Sequence, residues 1–168
     1  MRSLRLFSLV MSFMFLLPRA GLCEGKDAGH TNGARRPIPG KVSGTCRTIA
    51  AILVVYPTLE VRKSEETIRN VPGIPERPGC RVVASGPVSG IAGETDPAQA
   101  VKGQFQGDGW VEDIRYAADG PGTTSFAFRK NGILCRVTGG AHSWIEGGKH
   151  FTSDRYDLEA GCVPDAAP

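Results

Sequence analysis

The stretch TTSFAFRKNGILCRV, residues 123–137, decides the fold because it contains two alternating segments joined by a tight turn. Asn131-Gly132 is the strongest hairpin signal in the chain, since both residues tolerate the positive φ that a two-residue loop requires. With that loop, the apolar side chains of the two strands coincide on one face. The facing pairs are Phe128 with Cys135 and Phe126 with Val137. The sequence therefore predicts an antiparallel hairpin with one buried face.

The closing segment of the domain, Arg155–Val163, also alternates between apolar and polar side chains. Its apolar face carries Tyr156, Leu158, Ala160 and Cys162. Asp157 and Glu159 fall on the opposite face, as expected of a strand with one buried side. Cys162 and Cys135 then point to the same interior, and we predict a disulfide between them.

Period-two patterning begins at Trp110 and runs to Ala118, where residues 119–122 (Asp-Gly-Pro-Gly) supply a turn. In that segment Ile114 and Tyr116 would share one face with Ala118. Together with the hairpin and the closing strand, this pattern predicts an antiparallel meander of about four strands.

The clearest helix start lies ahead of the meander, at Asp96-Pro97. The aspartate can cap the helix, the proline suits the first helical position, and Gln99 can reach back as in a capping box. Val101 and Phe105 then lie one turn apart on one face. We therefore predict a helix that begins at Pro97.

The first part of the domain carries weaker signals. The apolar run Cys46–Tyr56 is long enough for a buried helix, although its β-branched residues would also suit a strand. We predict a helix, with Ser43 or Thr45 as its N-cap. Ser64, which two glutamates follow, predicts a short second helix.

Four cysteines belong to the predicted domain, and an even count in an exported chain favours disulfides. Cys80 begins a predicted strand, Cys80–Ser85, with its side chain facing inward. Because Cys135 is assigned to Cys162, the second predicted disulfide is Cys46–Cys80. The cysteines lack the close pair spacing of a zinc site.

The predicted fold class is α+β: an N-terminal helix or helices, then a strand, a helix and the meander.

Residues 1–23 have the layout of a secretory signal peptide. Met1–Arg5 carries two arginines, and the apolar run Leu6–Leu17 is well short of the ~20 residues that a membrane-spanning helix needs. A lipid anchor on Cys23 is the alternative, and it would need a small residue where Leu22 stands.

The segment after the signal, residues 24–42, is rich in glycine, proline and charged residues. We predict a disordered lead-in there and a single domain over residues 43–165. The full chain has 20 basic and 17 acidic residues, a formal net charge of +3. The arginines of the signal segment account for this excess, so the mature chain gives no support for a nucleic-acid partner. We predict a periplasmic or secreted protein with no transmembrane segment in the mature chain.

Residues Gly139–Ser153 are predicted to form a long loop, and they hold the candidate binding groups. Trp144 could anchor a protein or a carbohydrate, or it could fold back over the sheet. Four groups that could ligate a metal recur every four residues, but Gly147-Gly148 breaks a helix that would align them. These groups are His142, Glu146, His150 and Asp154.

A second acidic group lies further upstream and comprises Asp108, Glu112, Asp113 and Asp119. Its fragments are ordinary turn chemistry, and its spacing does not match a calcium loop. The sequence contains no serine nucleophile motif, and disulfides would occupy the cysteines. We predict no metal site, no catalytic residue and no cofactor.

A broader pattern of turns, aromatic residues and cysteines covers the second half of the domain. It comprises Gly109-Trp110, residues 118–121 (ADGP), residues 126–129 (FAFR), Cys135, Tyr156 and Cys162. This pattern resembles small exported bacterial proteins. The resemblance implies a bacterial, extracytoplasmic origin and no particular activity.

Two functions follow from these residues as hypotheses. The first is a non-enzymatic binding or interaction module of the cell envelope or exterior, which uses the Gly139–Ser153 segment with Trp144, His142 and His150. The alternative is a small extracytoplasmic hydrolase or metalloenzyme that uses residues 142–154. The partner, a protein or a carbohydrate, stays open at this stage.

Overall fold

The computed structural model of the chain describes residues 39–69 and 76–165. The predicted signal segment and residues 24–38 of the predicted lead-in lie outside the described residues. All described residues belong to one compact unit. No helix in the described part of the chain is long and apolar enough to cross a membrane.

The first helix, α1, comprises Gly40–Leu53 and confirms a helix rather than a strand in this region. It buries one side, because apolar residues recur every three or four positions. Those residues are Val42, Cys46, Ile49 and Leu53. The predicted caps were wrong, since Ser43 and Thr45 lie inside the helix and Pro39 precedes it without a side-chain cap. The helix therefore begins inside the segment predicted as lead-in.

The remaining elements are one further helix and a seven-stranded antiparallel sheet. In chain order they are β1 (Glu60–Ile68), β2 (Arg77–Pro87), α2 (Pro97–Gly107), β3 (Val111–Glu112), β4 (Ala118–Gly120), β5 (Thr123–Lys130), β6 (Ile133–Glu146) and β7 (Lys149–Pro164). The strand order is β1-β2-β7-β6-β5-β3, and β4 also pairs with β5. The protein is thus α+β, as predicted, but its sheet is larger than the four-stranded meander expected from the sequence.

The predicted second helix at Ser64 was wrong, because this residue lies in the middle of β1. The whole of β1 pairs with β2, and Ser64 stands opposite Arg81. The Ser64 hydroxyl donates to the Glu66 carboxylate instead of capping a helix. Pairing with β2 overrides the local helix signal, as strand neighbours often do. The many charges of β1 suit an edge strand, since they disfavour pairing with other chains.

The predicted alternation from Trp110 to Ala118 was also wrong. A short 3-10 turn, Ile114–Tyr116, interrupts it between the two-residue β3 and the three-residue β4. The Asp113 carboxylate accepts a hydrogen bond from the Arg115 main-chain N–H and so favours the turn over a strand. Ile114 is consequently exposed instead of facing the core.

The β5–β6 hairpin and α2, the helix that begins at Pro97, form as predicted. In β5 and β6, Phe128 stands opposite Cys135 and Phe126 opposite Val137. Asp96 caps α2, because its Oδ1 accepts from the main-chain N–H groups of Ala98 (2.9 Å) and Gln99 (3.1 Å).

Both helices cover the same face of the sheet, and the main core lies between them and that face. The disulfides Cys46–Cys80 and Cys135–Cys162 are the predicted pairs. The first links α1 to β2, and the second links β6 to β7. The opposite sheet face has no helix over it among the described residues. It carries a small apolar cluster at one end, formed by Ile68, Ala127, Leu134 and Val163, and mostly polar side chains elsewhere.

Candidate functional site

The strands β6 and β7 continue beyond the rest of the sheet. β5 pairs with β6 only as far as Gly140, and β2 pairs with β7 only as far as Arg155. Residues 141–154 therefore form a two-stranded hairpin, which we call the arm, and no other strand of the described residues pairs with either side of it. The predicted long loop Gly139–Ser153 was wrong, since almost all of it is this hairpin.

Two glycines make the arm possible. Gly147 and Gly148 both have positive φ, at 56° and 76°, which is the conformation of a tight two-residue hairpin turn. Gly147-Gly148 disfavours a helix in this segment and instead forms the turn that closes the hairpin. Near the base of the arm the register shifts, because Ala141 stands opposite Tyr156 whereas Ser143 stands opposite Thr152. His142 alone then faces three residues of β7, an irregularity that bends a ladder.

Three aromatic rings stack along one face of the arm. The ring centroids of His142 and Trp144 lie 6.1 Å apart, and those of Trp144 and Phe151 lie 5.7 Å apart. The interplanar angles are 17° and 16°, so the rings are nearly parallel. Trp144 is 42% exposed and Phe151 39% exposed. Trp144 therefore projects from the arm instead of folding back into the core.

The other face of the arm carries Ile145, which is 74% exposed and stands opposite His150. The arm thus presents apolar side chains to solvent on both faces. Among the site residues, sequence reasoning selected Trp144 but missed Ile145 and Phe151. A sequence reading that places a hairpin turn at Gly147-Gly148 identifies both residues, because this turn pairs Phe151 with Trp144 and Ile145 with His150 across the ladder.

The predicted binding histidines do not lie together. His142 shares a face with Trp144, whereas His150 pairs with Ile145 on the opposite face. Within residues 39–69 and 76–165, one group of three residues has its potential metal-binding atoms within 4.8 Å of one another, and it consists of Cys46, Cys80 and Cys162. All three sulfurs are bonded in disulfides. The geometry therefore offers no cluster of ligands at the arm.

The base of the arm contacts the turn before β5. The Ser143 hydroxyl donates to the Pro121 main-chain oxygen over 2.7 Å. Gly122, with φ of 74°, approaches the Ala141 oxygen so closely that a Cβ at this position would collide with it. Glycine is thus required at this contact on two grounds, its positive φ and its missing side chain.

A shallow depression of about 540 Å³ lies on the helix-free sheet face beside the arm, and His142 is part of its lining. Its carboxylates are already engaged: Asp157 pairs with Arg155 at 2.9 Å, and Glu159 lies 3.2 Å from the Arg81 Nε. The Arg136 Nε donates to the Ser125 hydroxyl. These contacts describe a solvated sheet face whose charges stabilise one another.

Three carboxylates of the upstream acidic group, those of Glu112, Asp113 and Asp119, are engaged by neighbouring side chains. Glu112 pairs with Lys102 at 2.9 Å, and Asp119 accepts from the Thr124 hydroxyl. Asp113 is buried, and the guanidinium groups of Arg115 and Arg129 bind its carboxylate. Hydrogen bonds from Arg115, and then from Arg129, hold the pKa of Asp113 well below its usual range despite the opposing effect of burial.

Comparison of the chain with protein families, with curated proteins and with solved structures finds no match. By its fold and its site, the described part of the chain is a two-disulfide α+β domain with both helices on one sheet face and a projecting hairpin arm.

Proposed function

We propose that this chain is an exported, non-enzymatic interaction module that binds a protein partner through the arm. The observation that carries the proposal is a hairpin that no other strand in the described part of the chain flanks, and that exposes Trp144 and Phe151 on one face and Ile145 on the other. Exposed apolar groups that lie together mark interaction surfaces more often than scattered ones do. Tryptophan and other aromatic residues also contribute strongly to binding at such surfaces.

The stacking of the rings favours a protein over a carbohydrate. A sugar that stacks on an aromatic side chain needs an open ring face. The rings of His142 and Phe151 lie near Trp144 with nearly parallel planes, at 6.1 and 5.7 Å between centroids, so neighbouring rings restrict access to the indole. The exposed ring edges and the Ile145 side chain suit the irregular apolar pockets of a protein surface. The free backbone edges of the arm offer hydrogen bonds to a partner strand as well.

An extracytoplasmic location fits this proposal. The two disulfides are compatible with an oxidising compartment, and residues 1–23 have the pattern of an export signal. The resemblance to small exported bacterial proteins, an expectation from the sequence alone, implies the same location. The hydrolase or metalloenzyme alternative would need its histidines and carboxylates to converge, and within the described residues the arm separates His142 from His150.

Photo-crosslinking tests the proposal. A benzophenone amino acid at Ile145 is expected to give a discrete protein adduct in the envelope fraction of the producing cells. The same amino acid at Val111 is a matched control, because this residue is 70% exposed and lies in β3 at the edge of the sheet away from the arm. The adduct should disappear in Trp144→Ser.

Three outcomes would contradict the proposal. Equal adducts at both positions would show nonspecific capture. The absence of an adduct at Ile145 would show that no protein partner binds the arm. Binding to an oligosaccharide that Trp144→Ser abolishes, without a protein adduct, would assign the arm to a carbohydrate instead.

A further inference from the structure

A second cavity lies on the helix-covered side of the molecule. It is a cleft of about 400 Å³ between the N-terminal half of α1 and the end of α2, close to the β5–β6 turn. Its lining includes Lys41, Thr45, Trp110, Lys130 and Asn131. The volume falls within the range of small-molecule sites, about 300–1,000 Å³.

Two lysines, Lys41 and Lys130, and one acidic residue, Asp108, line the cleft, so its lining carries a net positive charge. Neither lysine forms an ion pair with a carboxylate of the described residues. The Lys130 ammonium donates to the main-chain oxygen of Asp108, which leaves its charge uncompensated by that contact. Arg47 adds a third cation nearby, because its guanidinium lies 3.8 Å from the point where a Cβ on Gly44 would stand.

One wall of the cleft is aromatic. The indole of Trp110 stacks on the Phe105 ring with centroids 4.6 Å apart and planes 11° apart. Phe105 is buried, whereas Trp110 is only partly buried and forms part of the cleft surface. A flat wall beside unpaired ammonium groups is suited to a molecule with a flat apolar body and an anionic end.

We propose that this cleft binds a small organic anion, an aromatic or alicyclic carboxylate. The carboxylate lies between Lys41 and Lys130, and the ring lies against Trp110. The Asn131 side chain at the β5–β6 turn supplies a neutral hydrogen-bond donor. The site is separate from the arm, so its ligand and the arm's protein partner are independent of each other.

Fluorescence of Trp110 offers a direct test. The chain has two tryptophans, so Trp144→Phe leaves Trp110 as the single indole. In this background, 4-nitrobenzoate is expected to quench the fluorescence along a saturable curve, because the nitroaromatic ring contacts the indole. The neutral isostere 4-nitrobenzamide should bind at least about tenfold more weakly, since it cannot pair with the lysines. Added salt should weaken the binding of the carboxylate alone.

Charge variants assign the effect to the cleft. The double variant Lys41→Gln with Lys130→Gln should bind 4-nitrobenzoate at least about tenfold more weakly, whereas Lys149→Gln, at the tip of the arm, should bind it as before. Linear quenching that is equal for the two compounds, or unchanged affinity in the double variant, would overturn the proposal.

A measurement on the unsubstituted protein covers the case in which the double variant does not fold. On addition of 4-nitrobenzoate, the amide NMR signals of Thr45, Thr48 and Asn131 are expected to shift, because all three residues line the cleft. Shifts confined to the arm, or no shifts, contradict a site in the cleft.

Discussion

The two halves of the β6–β7 hairpin differ in what surrounds them. In the inner half, β6 lies between β5 and β7, and β7 lies between β6 and β2. The disulfide Cys135–Cys162 joins these strands there, and both sulfurs are buried. In the outer half, no further strand among residues 39–69 and 76–165 flanks the arm, which exposes Trp144, Ile145 and Phe151. One continuous hairpin thus combines a part enclosed by neighbouring strands with a part that exposes its apolar side chains.

This difference has a physical basis in pairing and burial. An isolated two-stranded hairpin is marginally stable in water, because half of its backbone groups and both of its faces meet solvent. The arm can persist because its strands continue from a stable sheet, and the tight Gly147-Gly148 turn sets the register of the arm itself. Apolar groups exposed on the arm contribute little to folding, which leaves their contact area available to a partner.

The largest expected effect is loss of the inner disulfide. Replacing both Cys135 and Cys162 by alanine should lower the free energy of unfolding by about 3 kcal/mol, because the unfolded chain gains the conformational freedom that the crosslink removes. Urea denaturation measures this change. A loss below about 1 kcal/mol would show that strand pairing alone stabilises the inner half, and the contrast with the arm would need another explanation.

A charge network stabilises the end of the hairpin opposite the arm. Asp165, just after β7, pairs with Arg129 of β5, and the Arg129 Nε donates to Asp113 over 2.7 Å. Asp113→Asn should cost about 2 kcal/mol, since it weakens hydrogen bonds to charged groups at a buried position. Asp119→Asn, at an exposed aspartate bonded to Thr124, is the matched control and should cost far less.

The same network predicts a pH dependence. Because the pKa of Asp113 is lower in the folded protein than in the unfolded chain, its contribution is complete above about pH 4 and is lost as the pH falls through the folded pKa. Urea midpoints at pH 3 and pH 7 should therefore differ less in Asp113→Asn than in the unsubstituted protein. An equal difference in the two proteins would exclude Asp113 as a source of the acid sensitivity.

The parts of the fold that the sequence predicts correctly are those with local signals. Asn131-Gly132 sets the β5–β6 register, and Asp96-Pro97 starts α2, since each motif requires one backbone conformation. The Cys135–Cys162 disulfide also follows from two strands whose cysteines face the same interior, and Cys46–Cys80 follows as the remaining pair. Ser64 fails as a predictor because its acidic neighbours favour a helix locally, while pairing with β2 decides the outcome.

The candidate site is predictable only in part. Trp144 stands out by its residue type, but its neighbour Phe151 becomes visible only once Gly147-Gly148 is taken as a turn. The burial of Asp113 depends on Arg129, which lies on another strand, and no local pattern encodes that contact. Contacts between residues distant in the sequence, rather than composition, determine the position of Phe151 beside Trp144 and that of Asp113 beside Arg129.

The smallest expected effect on stability belongs to the arm. Trp144→Ser and Phe151→Ser should each change the free energy of unfolding by no more than about 0.5 kcal/mol, because these rings pack on one another and not against the core. Urea denaturation and the crosslinking yield at position 145 are measured on the same variants. We expect stability to stay almost constant while the adduct disappears. A loss of stability comparable to that of the disulfide variant would mean that the aromatic stack supports the fold, and the division of the hairpin into a stable and a binding half would then be wrong.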